Sequence, residues 1–224
     1  MSTGTTPGTA EPRFPGFDVV ARARQWDPVT RRVVLARLDP APGLRFFTPA
    51  EGEAAAALLD RLLGQDDEPR VPMLEAVDAR LAAGRTDGWR HADMPEDGDA
   101  WRRSLAALDE EAATRWGDRF CTGSKPDQVR LLEAVKDSDG QWHGLPSTRV
   151  WNLWLRYALA AFYAHPWAWN EIGFGGPAYP VGYAALGVDG REHWEVPEVD
   201  AHDPVPWSTR VAAARRRHSE GGPT

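Results

Sequence analysis

Hydrophobic positions recur at steps of three and four residues through the middle of this 224-residue chain, and no segment of useful length alternates strictly. That periodicity predicts an all-α protein, an irregular bundle of about five helices. The clearest helix start is in "TPAEGEAAAALLDRLLG". Thr48 stands as the N-cap, Pro49 at the first helical position, and Glu51 where it completes a capping box. Leu58, Leu59, Leu62 and Leu63 form its apolar stripe, and Gly64 is a natural stop. "VPMLEAVDARLAAG" repeats the plan, with Pro72 near its start and Gly84 after its end. "DAWRRSLAALDEEAATRWG" sets Trp101, Leu105, Leu108, Ala112 and Trp116 on one face. "SKPDQVRLLEAVKD" opens on a Ser124 cap with Asp127 three residues on, and turns Leu131, Leu132 and Val135 inward.

"STRVWNLWLRYALAAFYAHP" is apolar almost all round and should therefore be the central, most buried helix. Its one polar stripe is Arg149, Asn152 and Arg156. Those side chains should meet carboxylates or backbone carbonyls, because a buried guanidinium is costly unless paired. Pro166 is expected to end the helix and to restrict His165 before it. Residues 1–16 are rich in Thr, Gly and Pro and are expected to be a flexible tail. Residues 17–45 form an N-terminal arm broken at Trp26-Asp27-Pro28, in which "PVTRRVVLARL" is a short helix or an extended stretch. The helical domain spans 46–195 and closes on a long Gly/Pro/aromatic-rich loop region. A C-terminal extension, expected to be partly disordered, covers 196–224.

Charge and cysteine content narrow the function classes. Acidic residues number 33 against 26 basic, a net charge of −7, which disfavours nucleic acid and anionic membranes as partners. The single cysteine, Cys121, rules out an internal disulfide and a thiolate metal cluster. The start "MSTGTTPGTAEPRFPGFD" has neither a basic cluster followed by an apolar run nor a twin arginine. No apolar segment approaches the about 18 residues that span a bilayer. The expectation is a reduced, cytoplasmic protein. Cys121 lies in "RFCTGSKP", ahead of a capped helix whose N-terminus could lower its pKa and make it reactive toward another chain. The alternative is a small buried residue beside Phe120.

Catalytic patterns are sparse. "GxSxG" and P-loop sequences do not occur, and the glycines of "GFGGPAYPVG" follow a helix and run into prolines, so they do not cradle a phosphate. Candidate metal ligands are His91 with Asp93, His143, His165 with Glu171, and Glu192 with His193. None has the paired-histidine spacing of a helical zinc site. The expectation is a chain with no catalytic, cofactor-binding or metal-binding residue of its own.

The most informative stretch is "YAHPWAWNEIGFGGPAYPVGY", Tyr163 to Tyr183, expected to be neither regular helix nor strand. Four glycines and prolines between Gly173 and Pro177 fix its backbone. On that frame sit Trp167, Trp169, Phe174, Tyr179 and Tyr183. Large rings on a rigid backbone are how hot-spot surfaces gain contact area with little entropy lost. The same design also serves a loop that plugs its own domain.

This block, together with "FFTPAEGEAAAALLDRLL" upstream, resembles the gluconate 2-dehydrogenase subunit 3 family from about Phe46 to about Trp194. The resemblance implies a small subunit without a cofactor, partnered by a flavin-dependent dehydrogenase of the glucose-methanol-choline type that carries FAD and oxidises a sugar, polyol or sugar acid. It implies a hetero-oligomer in which the small subunit helps the large one fold, remain stable and, in exported systems, cross the membrane by twin-arginine export. Exported members begin with a twin-arginine signal. This chain begins with a polar tail, so the complex stays in the cytoplasm or travels on a signal carried by the partner. The partner interface is then expected at His165, Trp167, Trp169, Asn170, Glu171, Phe174, Tyr179 and Tyr183, with His165 and Glu171 holding the loop in shape. Cys121 is the candidate intersubunit thiol. Two rivals are a stand-alone enzyme using His165 and Glu171, and an interaction module for an unrelated protein.

Overall fold

The computed structural model describes residues 14, 16–39, 43–66, 70–184, 190, 192 and 194–196. The expected tail over 1–16, apart from Phe14 and Gly16, and the expected extension over 196–224, apart from Val196, lie outside them. The chain clusters into two compact units. One holds residues 32–168 and the other the described residues of 10–31 and 169–224. The arm expected over 17–45 is thus divided at Arg31, and its first part clusters with the segment that begins at Trp169.

Among the described residues the architecture is helical, as the periodicity predicts, with seven α-helices: α1 Pro28–Leu35, α2 Pro49–Leu63, α3 Met73–Ala82, α4 Asp97–Trp116, α5 Lys125–Lys136, α6 Ser147–Tyr163 and α7 Pro166–Ile172. Thr48 caps α2 as expected. Its hydroxyl accepts the Glu51 N–H at 3.2 Å while the Glu51 carboxylate accepts the Thr48 N–H at 2.8 Å. Gly64 closes the helix in the left-handed conformation, φ 62°. Asp78 of α3, itself buried, accepts the backbone N–H groups of Arg45, Phe46 and Phe47 at 2.7, 2.9 and 2.9 Å. This one carboxylate satisfies the amides of the approach to α2.

The core of the first unit is the convergence of α2, α4, α5 and α6. Leu58 and Leu59 meet Trp101, Leu105 and Leu108, with Leu131 and Trp154 fully buried beside them. As expected, α6 is central, packing against α2, α3, α4 and α5. It is not buried all round, however. Val150, Leu153, Trp154, Tyr157 and Ala158 face inward, while Asn152, Leu159, Ala160 and Tyr163 are exposed. An apolar composition hid the ordinary amphipathic pattern, because alanine, leucine and tyrosine occupy the outer face.

Two further differences have local causes. Gln141–Trp142 and Leu145–Pro146 form a short antiparallel hairpin, β1 and β2, too brief for alternation to reveal. Its turn, His143 and Gly144, takes positive φ at both residues (47° and 74°), the geometry of a two-residue hairpin loop. Pro166 does follow the end of α6, but it also opens α7, because proline fits the first helical turn where no N–H is needed. Part of the Tyr163–Tyr183 segment is therefore regular helix, contrary to expectation.

The second unit is ordered around the 3-10 helix Val19–Gln25. Asp18 caps it through the Val20 N–H, and the Asn170 side-chain carbonyl accepts the Val19 N–H at 2.9 Å. Arg22 donates to the Gly175 carbonyl and stacks its guanidinium over Trp194, 4.5 Å from the ring centre. Gly176, at φ 78°, lets Trp26 and Val19 approach its backbone.

Candidate functional site

The aromatic segment begins in the first unit. His165 is only 5 % exposed, and its Nδ1 accepts the Trp167 N–H at 3.2 Å, as a capping side chain does at a helix start. Its ring also hydrogen-bonds the backbone of Arg37, whose guanidinium donates to the Ala164 carbonyl at 2.5 Å. Burial pushes the imidazole pKa down, and the Arg37 charge pushes the same way against the backbone bond. His165 is thus a neutral structural imidazole. Trp167 packs edge-on against it, ring centres 4.8 Å apart, with 41 % of its own surface exposed.

From Trp169 onward the segment belongs to the second unit. Trp169 is 6 % exposed and buried, and Phe174 meets its ring edge-on at 5.3 Å. The Phe174 N–H returns to the Trp169 carbonyl at 2.9 Å, which folds the chain back on the end of α7. Asn170 is half-buried and committed to the Val19 amide. Gly173, φ 67°, has Phe14 and Val196 against the space a Cβ would fill. Glu171 is exposed, and Phe174, Tyr179 and Tyr183 keep 41, 69 and 52 % of their surface. The eight residues expected at an interface thus divide. Trp167, Phe174, Tyr179, Tyr183 and Glu171 offer surface, while His165, Trp169 and Asn170 hold structure. His165 and Glu171 fall in different units, and the partners that fix His165 all lie in its own.

Other candidates fall elsewhere. A cleft of about 770 Å³ in the first unit includes His165, Arg37, Arg80, Tyr157 and Ala161 in its wall. Among its charges, Arg80 pairs with Asp87, and Asp78 is taken by three amides. Cys121 is half-buried in the turn Phe120–Thr122, and burial pushes its thiol up despite the neighbouring Arg119. Of the two readings of Cys121, this desolvation favours the partly buried residue beside Phe120 over an activated thiol. His143 lies between Glu110 and Glu111 at 3.2 and 3.3 Å, partners that the spacing along the chain did not suggest. His193 lies outside the described residues. Among the described residues, no group of three His, Cys, Asp or Glu side chains could hold a metal ion, and no helix is long and apolar enough to cross a membrane.

Of the polar stripe of α6, Arg156 meets carboxylates as expected, Arg149 meets a histidine, and Asn152 is exposed. Arg156 pairs with Asp87 and with Asp97, the latter at 3.0 Å, and Asp97 also accepts the Tyr157 hydroxyl at 2.8 Å. Desolvation, then that hydrogen bond, raises the Tyr157 pKa. Arg149 meets His91 Nε2 at 3.3 Å and stands 3.9 Å from Asp93.

A family model described as gluconate 2-dehydrogenase subunit 3 matches residues 49–176, from the first residue of α2 to Gly176. No curated protein and no solved structure matches the chain.

Proposed function

The chain belongs to the gluconate 2-dehydrogenase subunit 3 family, and from that premise we propose that it is a non-catalytic accessory subunit which binds and stabilises a flavin-dependent dehydrogenase. The large subunit in this reading is of the glucose-methanol-choline type. It holds FAD and oxidises a sugar or polyol, and this chain contributes no cofactor and no reacting group.

The observation that carries the proposal is the family match, which runs over more than half of the chain and ends within the glycine-rich turn. The side chains agree with it. The buried histidine of the aromatic segment is spent on a helix start and a neighbouring backbone, not aimed at a nucleophile. Five large rings of the same segment, Tyr163, Trp167, Phe174, Tyr179 and Tyr183, stay exposed. Monomeric soluble proteins rarely keep large apolar patches uncovered, and aromatic anchors are enriched where partners bind.

Co-expression of the chain with a flavin oxidoreductase encoded beside it is the test. The expected result is a yellow complex in which flavin is stoichiometric with the large subunit, and a large subunit that loses flavin or aggregates when produced alone. A chain that purifies with its own flavin, or that turns over a sugar unaided, overturns the proposal.

A further inference from the structure

Between the loop that precedes α4 and the polar face of α6 lies a pocket of about 300 Å³. Arg149, Asn152 and Arg156 come to it from α6, and Trp89, His91 and Asp97 from the other side. All belong to the first unit. We propose that this pocket is a carboxylate-binding site in which Arg149 and Asn152 are the recognising residues.

The two guanidinium groups differ in how they are satisfied. Arg156 is spoken for. It bonds Asp87 and Asp97, Asp97 is fixed in turn by the Tyr157 hydroxyl, and the Trp89 ring lies 5.1 Å from its Cζ. That arrangement makes a fixed back wall. Arg149 has one hydrogen-bond partner, His91 Nε2 at 3.3 Å, and its carboxylate neighbour Asp93 stands at 3.9 Å, beyond hydrogen-bond reach. A guanidinium carries five N–H donors in a planar fork, so most of those on Arg149 remain to be given. Asn152, one turn along α6, is exposed and adds an amide donor on the same face. His91 orients the fork from one side, and Trp89 packs edge-on against His91, ring centres 5.1 Å apart, as an apolar wall.

A planar group with two acceptor oxygens matches this set, because the fork meets a carboxylate with two parallel bonds. The volume suits a small organic acid, and it suits equally an Asp or Glu side chain presented by another protein. Ligand sites are typically such concavities, apolar-walled with a few converging polar groups. This proposal does not rest on the accessory-subunit reading.

The test is a titration of the full chain with sodium succinate, set against sodium chloride at matched ionic strength. The indole N–H resonance of Trp89, assigned by loss of its signal in Trp89→Phe, is the readout. Saturable movement with succinate and none with chloride is expected. Arg149→Lys keeps the charge but loses the fork and should bind about tenfold more weakly. Repeating the titration in the complex with a large subunit separates the two sources. A pocket that still titrates takes a free acid. A pocket that no longer responds, in a complex that Arg149→Lys weakens, takes a partner's carboxylate. Equal movement with chloride, no saturation, or an unchanged Arg149→Lys response overturns the proposal.

Discussion

Trp154 of α6 donates its indole N–H to the hydroxyl of Ser104 of α4 at 2.9 Å, and neither residue exposes any surface. Ser104 in turn donates to the Trp101 carbonyl one turn back at 3.0 Å. The only polar atom of a large buried ring is thereby satisfied, so the ring can sit at the centre of the helix contact without a desolvation penalty. Trp154→Ala is expected to cost about 3–5 kcal/mol, the range for truncating a buried aromatic. Ser104→Ala, which leaves that N–H unpaired, should cost about 1–3 kcal/mol. Urea unfolding of both variants checks this. A Trp154→Ala midpoint no lower than that of an exposed-residue variant would remove α6 from the centre of the core.

Gly176 and Gly64 both adopt positive φ, 78° and 62°, yet their surroundings differ. A Cβ on Gly64 meets nothing within 4 Å, whereas on Gly176 it would stand 2.8 Å from Trp26 Cζ2 and 3.0 Å from Val19 Cγ2. Gly64→Ala should therefore cost about 1 kcal/mol, the backbone term alone. Gly176→Ala adds a clash with two buried side chains, about 1–3 kcal/mol more. Hydrogen exchange of the amides in Val19–Gln25 reports on the second unit directly. Equal protection in the two variants would show that the close approach carries no energy.

His165 ties stability to acid. Burial lowers its folded-state pKa below the ordinary value of about 6.5. Between the two values the unfolded chain holds a proton that the folded chain does not, so stability rises with pH there. The contribution is fully present above about pH 6.5 and is lost as pH falls toward the lowered folded-state value. His165→Gln removes the titration. It should be less stable than wild type near neutrality, where the capping bond to Trp167 is lost, and the gap should narrow as the solution is acidified. Unfolding midpoints of both proteins across that range decide it. Parallel pH curves would mean that His165 titrates alike in both states.

Much of the first unit was legible along the chain because its signals are local. Thr48, Pro49 and Glu51 define one helix start, Ser124 another, and the three-four steps from Trp101 to Ala112 define a buried face. Arg156 was legible for a different reason: a guanidinium on a helix that packs into the core must find a carboxylate, and Asp97 supplies it, whereas Arg149 found a histidine. What escaped depends on distant partners. Asp78 looks like any surface aspartate until the three amides before α2 arrive over it. Trp167 and Trp169 are two residues apart, and α7 separates their fates, leaving one exposed and one buried. Without a helix over Pro166–Ile172, nothing in the stretch distinguishes the two rings. For Cys121 the chain displayed the helix that follows it, while the burial that pushes its thiol up depends on packing around it.

That separation of Trp167 from Trp169 sets the test of the aromatic segment as a partner contact. Exposed rings are those that binding would cover, so Trp167, Phe174 and Tyr179 are the anchors to truncate, and Trp169 is the control that ought to fail differently. Trp167→Ala and Phe174→Ala should keep their helical circular dichroism and weaken association with the large subunit by about 2 kcal/mol or more each. Trp169→Ala should instead lower stability by about 3–5 kcal/mol, because it empties a buried site against which Phe174 packs. Affinity for the large subunit, measured beside urea unfolding for each variant, separates the two effects. If the folded Trp167→Ala and Phe174→Ala chains bind with wild-type affinity, the rings only close their own fold, and the contact must be sought on the exposed faces of α4 and α5.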